Sequence, residues 1–138
     1  MKAYKIAAVV AEFNYEVTML MLERAKAEAE FLGVEINHIV MVPGVFDMPL
    51  AIKKLLARKD VDAVITLGAV ITGQTKHDEV IAAQASRQIM DLALAAGKPV
   101  ALGVNGPGMT ELEAVDRIEK GRDAVDSVVK LLQRLEKI

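Results

Sequence analysis

The sequence contains no cysteine and no tryptophan among its 138 residues. The absence of cysteine excludes disulfide bonds, thiolate nucleophiles and cysteine-based metal sites. Only two histidines are present, His38 and His77, and they lie far apart in the sequence, so a zinc site is not expected. Any chemistry therefore has to use histidine, carboxylates, lysine, arginine and backbone amides.

Aromatic residues are also scarce, at 4% of the chain, although 53% of the residues are hydrophobic. The core must therefore be built from aliphatic side chains and methionine, as is common where helices pack on a parallel sheet. The length suits one domain that is large enough to bury a core. We expect residues 1–138 to form a single domain.

The chain has no excess of positive charge, since its formal net charge is −2, and we expect no binding to nucleic acid or to a membrane surface. No apolar run approaches the roughly 18 residues needed to span a bilayer. Residues 1–5 lack the pattern of a signal peptide. We therefore expect a cytoplasmic protein.

Four apolar segments alternate with four helical patterns along the chain. The strands are predicted at residues 5–11, 36–42, 64–67 and 99–104. The helices are predicted at 16–32, from 47, from 75 to 96, and from 110 onward with a break or kink near Gly121. This alternation predicts a parallel sheet with right-handed crossovers and helices on both faces.

Several residues are typical of helix ends. Asn14, Asp47 and Thr75 are predicted N-caps, and Gly33 is predicted to end the first helix. On the first helix the apolar side is predicted to include residues 17, 20, 21, 31 and 32. The segment 105–108 is predicted to form a turn that leads into the last helix.

In such sheets ligands bind beyond the carboxyl ends of the strands. These ends read AEFN (11–14), VPGVFDMP (42–49), GAVITGQTKHDE (68–79) and LGVNGPGM (102–109). In the third, Thr75 and Asp78 match a capping pattern, and the first amides of the helix could bind a phosphate at Gln74 and Thr75. His77 in the first helical turn could act as general acid or base, and the alternative is a solvated residue at a helix start.

Each of the other candidate residues could have either a ligand-binding role or a purely structural one. Phe13 could stack on a heteroaromatic ring or could pack against the helix that follows it. Asp47 could accept hydrogen bonds from ligand hydroxyls or could cap a helix, and the amides of Val45 and Phe46 could face a polyol. Arg117 could bind a phosphate or form a surface ion pair of little energetic worth.

Taken together, AEFN, VPGVFDMP and GAVITGQTKHDE, in this order and at these spacings, resemble the 6,7-dimethyl-8-ribityllumazine synthase family. The match covers nearly the whole chain and is closest to the archaeal branch. The resemblance implies a flavodoxin-like three-layer α/β/α fold with a four-stranded parallel sheet in the order 2-1-3-4. It also implies a transferase of riboflavin biosynthesis that needs no cofactor and condenses 5-amino-6-(D-ribitylamino)uracil with 3,4-dihydroxy-2-butanone 4-phosphate.

The resemblance assigns roles by matching motif positions. The expected stacking residue is Phe13, the proton shuttle is His77, and the phosphate is bound by Gln74, Thr75 and Arg117. The ribityl chain is expected at Val45, Phe46 and Asp47, and the pyrimidine edge at Ala69, Val70 and Ile71. Leu102 and Arg117 are expected to come from a neighbouring subunit.

The family forms pentamers or hollow icosahedral shells of twelve pentamers, so a homo-oligomer with sites between subunits is expected. Three departures from the family pattern concern the surface offered to a neighbour. Leu102 stands where the family often has an aromatic residue, Thr72 stands where arginine is common, and the segment 118–123, which includes Lys120, is shortened. The lack of an insertion near Gly121 favours shells over free pentamers.

Three rival interpretations remain open from the sequence. One is an archaeal-type riboflavin synthase, which would use the lumazine as substrate, although the intact GQTKHDE and AEFN motifs disfavour it. Another is a flavodoxin-like module that binds flavin without catalysis, although AEFNYE has no glycine, serine or threonine cradle for a phosphate. The third is a shell protein without activity.

Overall fold

The computed structural model describes residues 3–71 and 77–138 of the chain. The first half comprises β1 (Lys5–Ala11), α1 (Tyr15–Leu32), β2 (Glu35–Val42), a 3-10 turn (Val45–Asp47) and α2 (Met48–Leu56). The second half comprises β3 (Ala63–Ile71), α3 (His77–Ala96), β4 (Val100–Met109), α4 (Glu111–Asp116) and α5 (Lys120–Leu135).

The four strands form one parallel sheet in the order β2-β1-β3-β4, which confirms the predicted fold class and strand order. In this order β1 and β3 are the central strands. The chain adds β2 on one side of β1 and then adds β3 and β4 on the other side. Loops that follow β1, β2 and β3 consequently meet at one edge of the sheet, where ligands bind in folds of this kind.

Alternate residues of the central strands pack into two separate cores, because successive side chains of a strand point to opposite faces. Ile6, Ala8 and Val10 pack with α1, α4 and α5, whereas Ala7, Val9 and Ala11 pack with α2 and α3. The sheet is therefore covered by helices on both faces, and its central strands are buried on both sides, as their continuous apolar sequences predict.

The end of α1 is confirmed, and its start differs from the prediction. Gly33 adopts a left-handed conformation with φ of 72°, and its amide bonds the carbonyls of Ala29 and Glu30. Asn14 occupies the N-cap position, but its side chain makes no capping hydrogen bond. The predicted N-cap position is therefore confirmed, but the capping hydrogen bond is absent, because the Asn14 amide donates to a more distant carbonyl, as described below.

The predicted apolar side of α1 is only partly correct. Val17 and Met21 are buried in the core, whereas Leu20 and Phe31 are exposed on the surface of the single chain. The hydrophobic pattern of the helix is therefore wider than the face that the sheet covers.

The fourth strand is longer than predicted and runs through Met109, so the turn predicted at 105–108 is wrong. Asn105 continues the ladder as the partner of Ala69, and a register irregularity follows between Ala69 and Ile71. Backbone pairing with β3 thus outweighs the turn preference of the two glycines. Thr110 then caps α4, since its hydroxyl accepts a hydrogen bond from the Glu113 amide.

The predicted break in the last helix lies at residues 117–119, between α4 and α5, and Gly121 itself belongs to the first turn of α5. Gly121 lies where α5 contacts α1. A Cβ atom at this position would collide with the backbone carbonyl of Met21 on α1. The glycine therefore allows α1 and α5 to cross at close range.

Over the described residues, no helix has the length and apolar character required to cross a membrane.

Candidate functional site

A cavity of about 260 Å³ lies at the carboxyl edge of the sheet, between the ends of β1, β2 and β3. It brings together eight of the residues singled out from the sequence, although they come from four separate segments of the chain. These residues are Phe13, Val45, Phe46, Asp47, Ala69, Val70, Ile71 and His77. Ala11, Asn14, Gly44 and Ile81 also line it and were not predicted as site residues.

Phe13 forms one wall of this cavity. Its side chain is 65% exposed, so it does not pack beneath α1 as the structural alternative required. The backbone is fixed to the end of β2, since the amides of Glu12 and Phe13 donate to the carbonyls of Val42 and Pro43. The ring lies directly over Gly44, where any side chain would collide with it. A flat aromatic surface is therefore available to a ligand.

The 3-10 turn forms the floor beside Phe13. Asp47 Oδ2 accepts a hydrogen bond from the Gly44 amide at 3.0 Å, and the Asp47 amide donates to the Gly44 carbonyl. The Asp47 side chain makes no capping hydrogen bond to the amides of α2. The predicted cap on this helix is therefore wrong, because the carboxylate bonds the Gly44 amide instead. The carboxylate instead holds the turn closed while the residue lines the cavity. Within this turn Val45 is buried against the sheet, and Phe46 is exposed.

The end of β3 forms the opposite wall. Ala69 and Val70 are buried and Ile71 is half-buried, so this wall is apolar. The carbonyl of Ala69 accepts a hydrogen bond of 2.7 Å from Nδ2 of Asn14. This contact joins residues 55 positions apart in the sequence. No local pattern signals it, because an asparagine before a helix is equally typical of an N-cap.

His77 is the first residue of α3 and lies at the open side of the cavity, where its side chain is exposed. It is therefore accessible to a ligand as general acid or base requires. Gln74 and Thr75, the expected phosphate-binding residues, lie outside the described residues. The same holds for the capping pattern that begins at Thr75.

Leu102 and Arg117 do not line this cavity. Leu102 lies on β4 and is 47% exposed, and Arg117 is an exposed residue that follows α4. The Arg117 carbonyl accepts a hydrogen bond of 3.4 Å from Nδ2 of the buried Asn105. Lys120 donates to the carbonyl of Val104 at 3.2 Å. The shortened segment after α4 is thus tied to β4, with Arg117 presented outward.

A second groove, of about 550 Å³, lies between β2 and α2. His38 is found here, and its Nε2 lies 3.0 Å from Oδ2 of Asp60, which also bonds Arg58. These bonds, first from Arg58 and then from His38, hold the pKa of the Asp60 carboxyl far below its ordinary value. The groove is larger than the first cavity, but Asp47 is the one predicted site residue among those that line it, so the cavity beside Phe13 and His77 is the better candidate.

Across residues 3–71 and 77–138, no three histidine, aspartate or glutamate side chains come together in a group that could hold a metal ion. The residues that line the candidate site instead offer one imidazole, one carboxylate, one carboxamide, two phenyl rings and backbone amides. This set suits an uncharged flat ligand with polar substituents and proton transfer at its edge.

Comparison with known proteins identifies close relatives of the chain. Residues 3–136 match the family model described as 6,7-dimethyl-8-ribityllumazine synthase. A protein of that name from Methanothermobacter thermautotrophicus is 58% identical over 99% of this chain and 98% of its own. The protein of that name from Methanobrevibacter smithii is 56% identical over the full length of both chains. The one from Picrophilus torridus is also 56% identical, over 96% of this chain and 97% of its own.

Proposed function

The chain belongs to the 6,7-dimethyl-8-ribityllumazine synthase family, and from this membership we propose how its cavity carries out the reaction. The chain is an enzyme, a transferase of riboflavin biosynthesis. It condenses 5-amino-6-(D-ribitylamino)uracil with 3,4-dihydroxy-2-butanone 4-phosphate and releases phosphate and water. A riboflavin synthase, a flavin-binding module without catalysis and an inactive shell protein are not favoured by the relatives.

The observation that carries the site assignment is the convergence of Phe13, Asp47 and His77 on one cavity from three separate segments of the chain. In the proposal, the pyrimidine ring stacks on Phe13 and its edge meets Ala69, Val70 and Ile71. Stacking on an exposed phenyl ring whose backbone is bonded to the end of β2 supplies orientation as well as affinity.

The ribityl chain is proposed to follow the 3-10 turn. Val45 and Phe46 would contribute their backbone amides, and Asp47 would accept hydrogen bonds from the ribityl hydroxyls. Asp47 Oδ2 already accepts from the Gly44 amide at 3.0 Å, which fixes the carboxylate in place. A carboxylate oxygen has two lone pairs, so the group keeps capacity for ligand hydroxyls.

The chemistry needs few protein groups. The uracil substrate brings a primary amine and the second substrate brings a ketone, so they form an imine without a lysine. Elimination of phosphate and ring closure then require proton transfers, which we assign to His77. Much of the acceleration comes from holding two substrates in register, since effective molarities of oriented reactants are very large.

The phosphate is proposed to bind at the start of α3 through the amides of Gln74 and Thr75, where the positive end of a helix favours an anion. Arg117 would add a positive charge. Because Arg117 and Leu102 do not line the cavity of their own chain, they would reach the cavity of a neighbouring subunit. Each site is then complete only in the assembly.

Apolar side chains that this single chain leaves exposed support such an assembly. They lie both around the cavity and on the surface that carries Arg117: Phe13, Phe46, Leu102, Leu112 and Val115. We propose a homopentamer, with the absence of an insertion near Gly121 favouring the icosahedral shell of twelve pentamers. Sedimentation of the purified protein distinguishes the two sizes, because a shell contains sixty subunits.

A single-domain organisation of residues 1–138 and a cytoplasmic location complete the proposal. The single domain is supported by the two cores, which share the same central strands β1 and β3. Separation of cell fractions with an antibody to the chain tests the location.

The proposed reaction is tested by mixing the purified protein with both substrates and following the fluorescence of the lumazine. We expect product only when both substrates are present. Product formed from the lumazine alone would indicate a riboflavin synthase, and flavin binding without lumazine formation would indicate a binding module. Either result would contradict the proposal.

A further inference from the structure

We propose that Asn14 is a positioning residue for the uracil substrate. Its side-chain amide fixes the end of β3 at the distance from Phe13 that a flat ring requires. The direct observation is the hydrogen bond of 2.7 Å from Asn14 Nδ2 to the Ala69 carbonyl. The inference rests on the proposed roles of Phe13 and Ala69 and goes beyond them, since Asn14 acts through both.

The Ala69 carbonyl lies beyond the end of regular pairing between β1 and β3. The last paired residues in this ladder are Val10 and Leu67, and β1 ends one residue later, at Ala11. A carbonyl at the rim of a sheet otherwise turns to water or to a ligand, since backbone acceptors need a partner. The Asn14 amide supplies that partner and extends the connection between the two segments past the end of β1.

The backbone of Asn14 is consistent with a side chain that is committed to this bond. Its φ of 61° is the one positive value for a non-glycine residue in the described part of the chain. Asparagine tolerates the left-handed region better than most residues. Its backbone carbonyl accepts from Val17 and Thr18 at the start of α1, so the side chain is not needed as a cap.

Phe13 and Asn14, which are adjacent in the sequence, thus form hydrogen bonds to two different segments that line the cavity. Phe13 is held to the loop after β2 by its amide, which donates to Pro43 at 2.9 Å. Asn14 is held to β3 by its side chain. The distance between the phenyl ring and the apolar wall at Ala69 and Val70 therefore depends on the Asn14 amide. Loss of the amide lets the two walls separate and weakens binding of the flat substrate.

The first test is Asn14→Gly in the full-length protein, because glycine adopts the left-handed backbone without strain and removes the side chain that carries the amide. We expect the KM for the uracil substrate to rise about threefold to tenfold, the range for loss of a neutral hydrogen bond. The KM for the butanone phosphate and the thermal midpoint should change little. Unchanged KM values for both substrates would overturn the proposal. Loss of activity in proportion to loss of folded protein would also overturn it.

The second test is Asn14→Asp, which keeps the shape and the backbone preference but replaces the donor with an acceptor. At pH 7 the aspartate is ionised and can only accept hydrogen bonds, so it repels the Ala69 carbonyl in place of donating to it. We expect the KM for the uracil substrate to rise at least as much as in Asn14→Gly, with little change in the KM for the butanone phosphate. A KM for the uracil substrate equal to that of the parent protein would contradict the proposal.

Phe13→Ala, measured in the same assay, separates failure of this inference from failure of the site assignment. If Phe13→Ala leaves the KM for the uracil substrate unchanged, the cavity itself is assigned wrongly. If Phe13→Ala raises that KM and Asn14→Gly does not, the site stands and the positioning role of Asn14 is wrong.

Discussion

The ring of Phe13 lies so close to Gly44 that a Cβ atom at position 44 would stand 2.7 Å from Phe13 Cδ2. Real side chains do not tolerate such a distance, so one of the two groups would have to move. Because the Phe13 side chain is 65% exposed, its ring is the group that can move at low cost. The glycine therefore sets the position of the aromatic wall of the site.

Gly44→Ala is expected to displace the Phe13 ring with little loss of stability. We expect the KM for the uracil substrate to rise about threefold to tenfold, the size of an aromatic stacking contribution. Steady-state kinetics with each substrate varied in turn measure this. In the double variant with Phe13→Ala, the second change should add almost nothing, because both act on the same ring. Additive effects would show that Gly44 acts elsewhere.

His77→Ala is expected to slow turnover on the order of 10²-fold while leaving measurable product. The residual rate reflects the orientation of the two substrates, which does not depend on the imidazole. Single-turnover measurements of lumazine formation check this. His38→Ala is the matched control, since His38 bonds Asp60 outside the cavity, and it should leave the rate unchanged. Equal rates in both variants would remove His77 from the mechanism.

Arg117→Ala is expected to weaken use of the butanone phosphate with little effect on the KM for the uracil substrate. Loss of a charged hydrogen bond costs about 1.5 to 3 kcal/mol, so the KM for the phosphate substrate should rise on the order of tenfold to hundredfold. An unchanged apparent affinity for the phosphate substrate would count against the assigned role.

Mixed assemblies test whether Arg117 reaches a neighbouring site. His77→Ala and Arg117→Ala subunits are unfolded together and reassembled in equal amounts. If each site takes His77 from one chain and Arg117 from the next, about a quarter of the sites regain both groups, as expected for a repeating head-to-tail interface. If both groups came from the same chain, mixing would restore nothing.

The Asp60 cluster is expected to make stability depend on pH in the acid range. Its carboxyl pKa is lowered in the folded state by bonds from Arg58 and His38, relative to 3.8 for the free group. The contribution of the Asp60 carboxylate to the free energy of unfolding is therefore fully present above about pH 4, and it is lost as the pH falls through the folded-state pKa. Asp60→Asn should lower the denaturation midpoint at pH 7, and the difference should shrink toward pH 3.

Asp126→Asn is the control for this cluster. Asp126 forms an exposed pair of 2.9 Å with Lys130 on the same helix, a kind of pair worth a few tenths of a kcal/mol. Denaturant titrations of the parent and both variants at several pH values supply the comparison. A difference for Asp60→Asn that stays constant down to pH 3 would contradict the assignment.

Gly121→Ala is expected to destabilise the protein by about 3 kcal/mol, at the upper end of the range for overpacking a fixed contact. The added methyl group would collide with the Met21 carbonyl, which is backbone and cannot rotate away. Gly33→Ala is the control: nothing lies within 4 Å of its Cβ position, and its φ of 72° makes the cost about 1 to 2 kcal/mol. Chemical denaturation measures both, and a smaller loss at Gly121 would refute the close contact.

Much of the fold followed from short-range patterns. Continuous apolar runs predicted β1 and β3, and alternation with helical patterns predicted the parallel sheet. Gly33 ends α1 with a positive φ, as its position at the end of the first helical pattern indicates. The site loops were identified because parallel strands bring their carboxyl ends to one edge of the sheet, whatever the details of packing.

Other features depended on partners that are distant in sequence. Asn14 was predicted to cap α1, but its amide bonds Ala69, and Asp47 bonds Gly44 in place of capping α2. A polar side chain near a helix start has several acceptors or donors within reach, and the sequence does not rank them. The choice is made only when the strands assemble and bring a particular group within about 3 Å.

The sequence by itself therefore determined the order of the elements and the two buried faces of the sheet, because these follow from the periodicity of apolar residues. It also singled out four strand ends, of which the first three line the cavity. Only the tertiary structure decided that β4 continues through residues 105–109, that Gly121 allows α5 to approach Met21, and that Asn14 joins β1 to β3. The reason is that each depends on contact between segments far apart in the chain, and local preferences carry no information about such a contact.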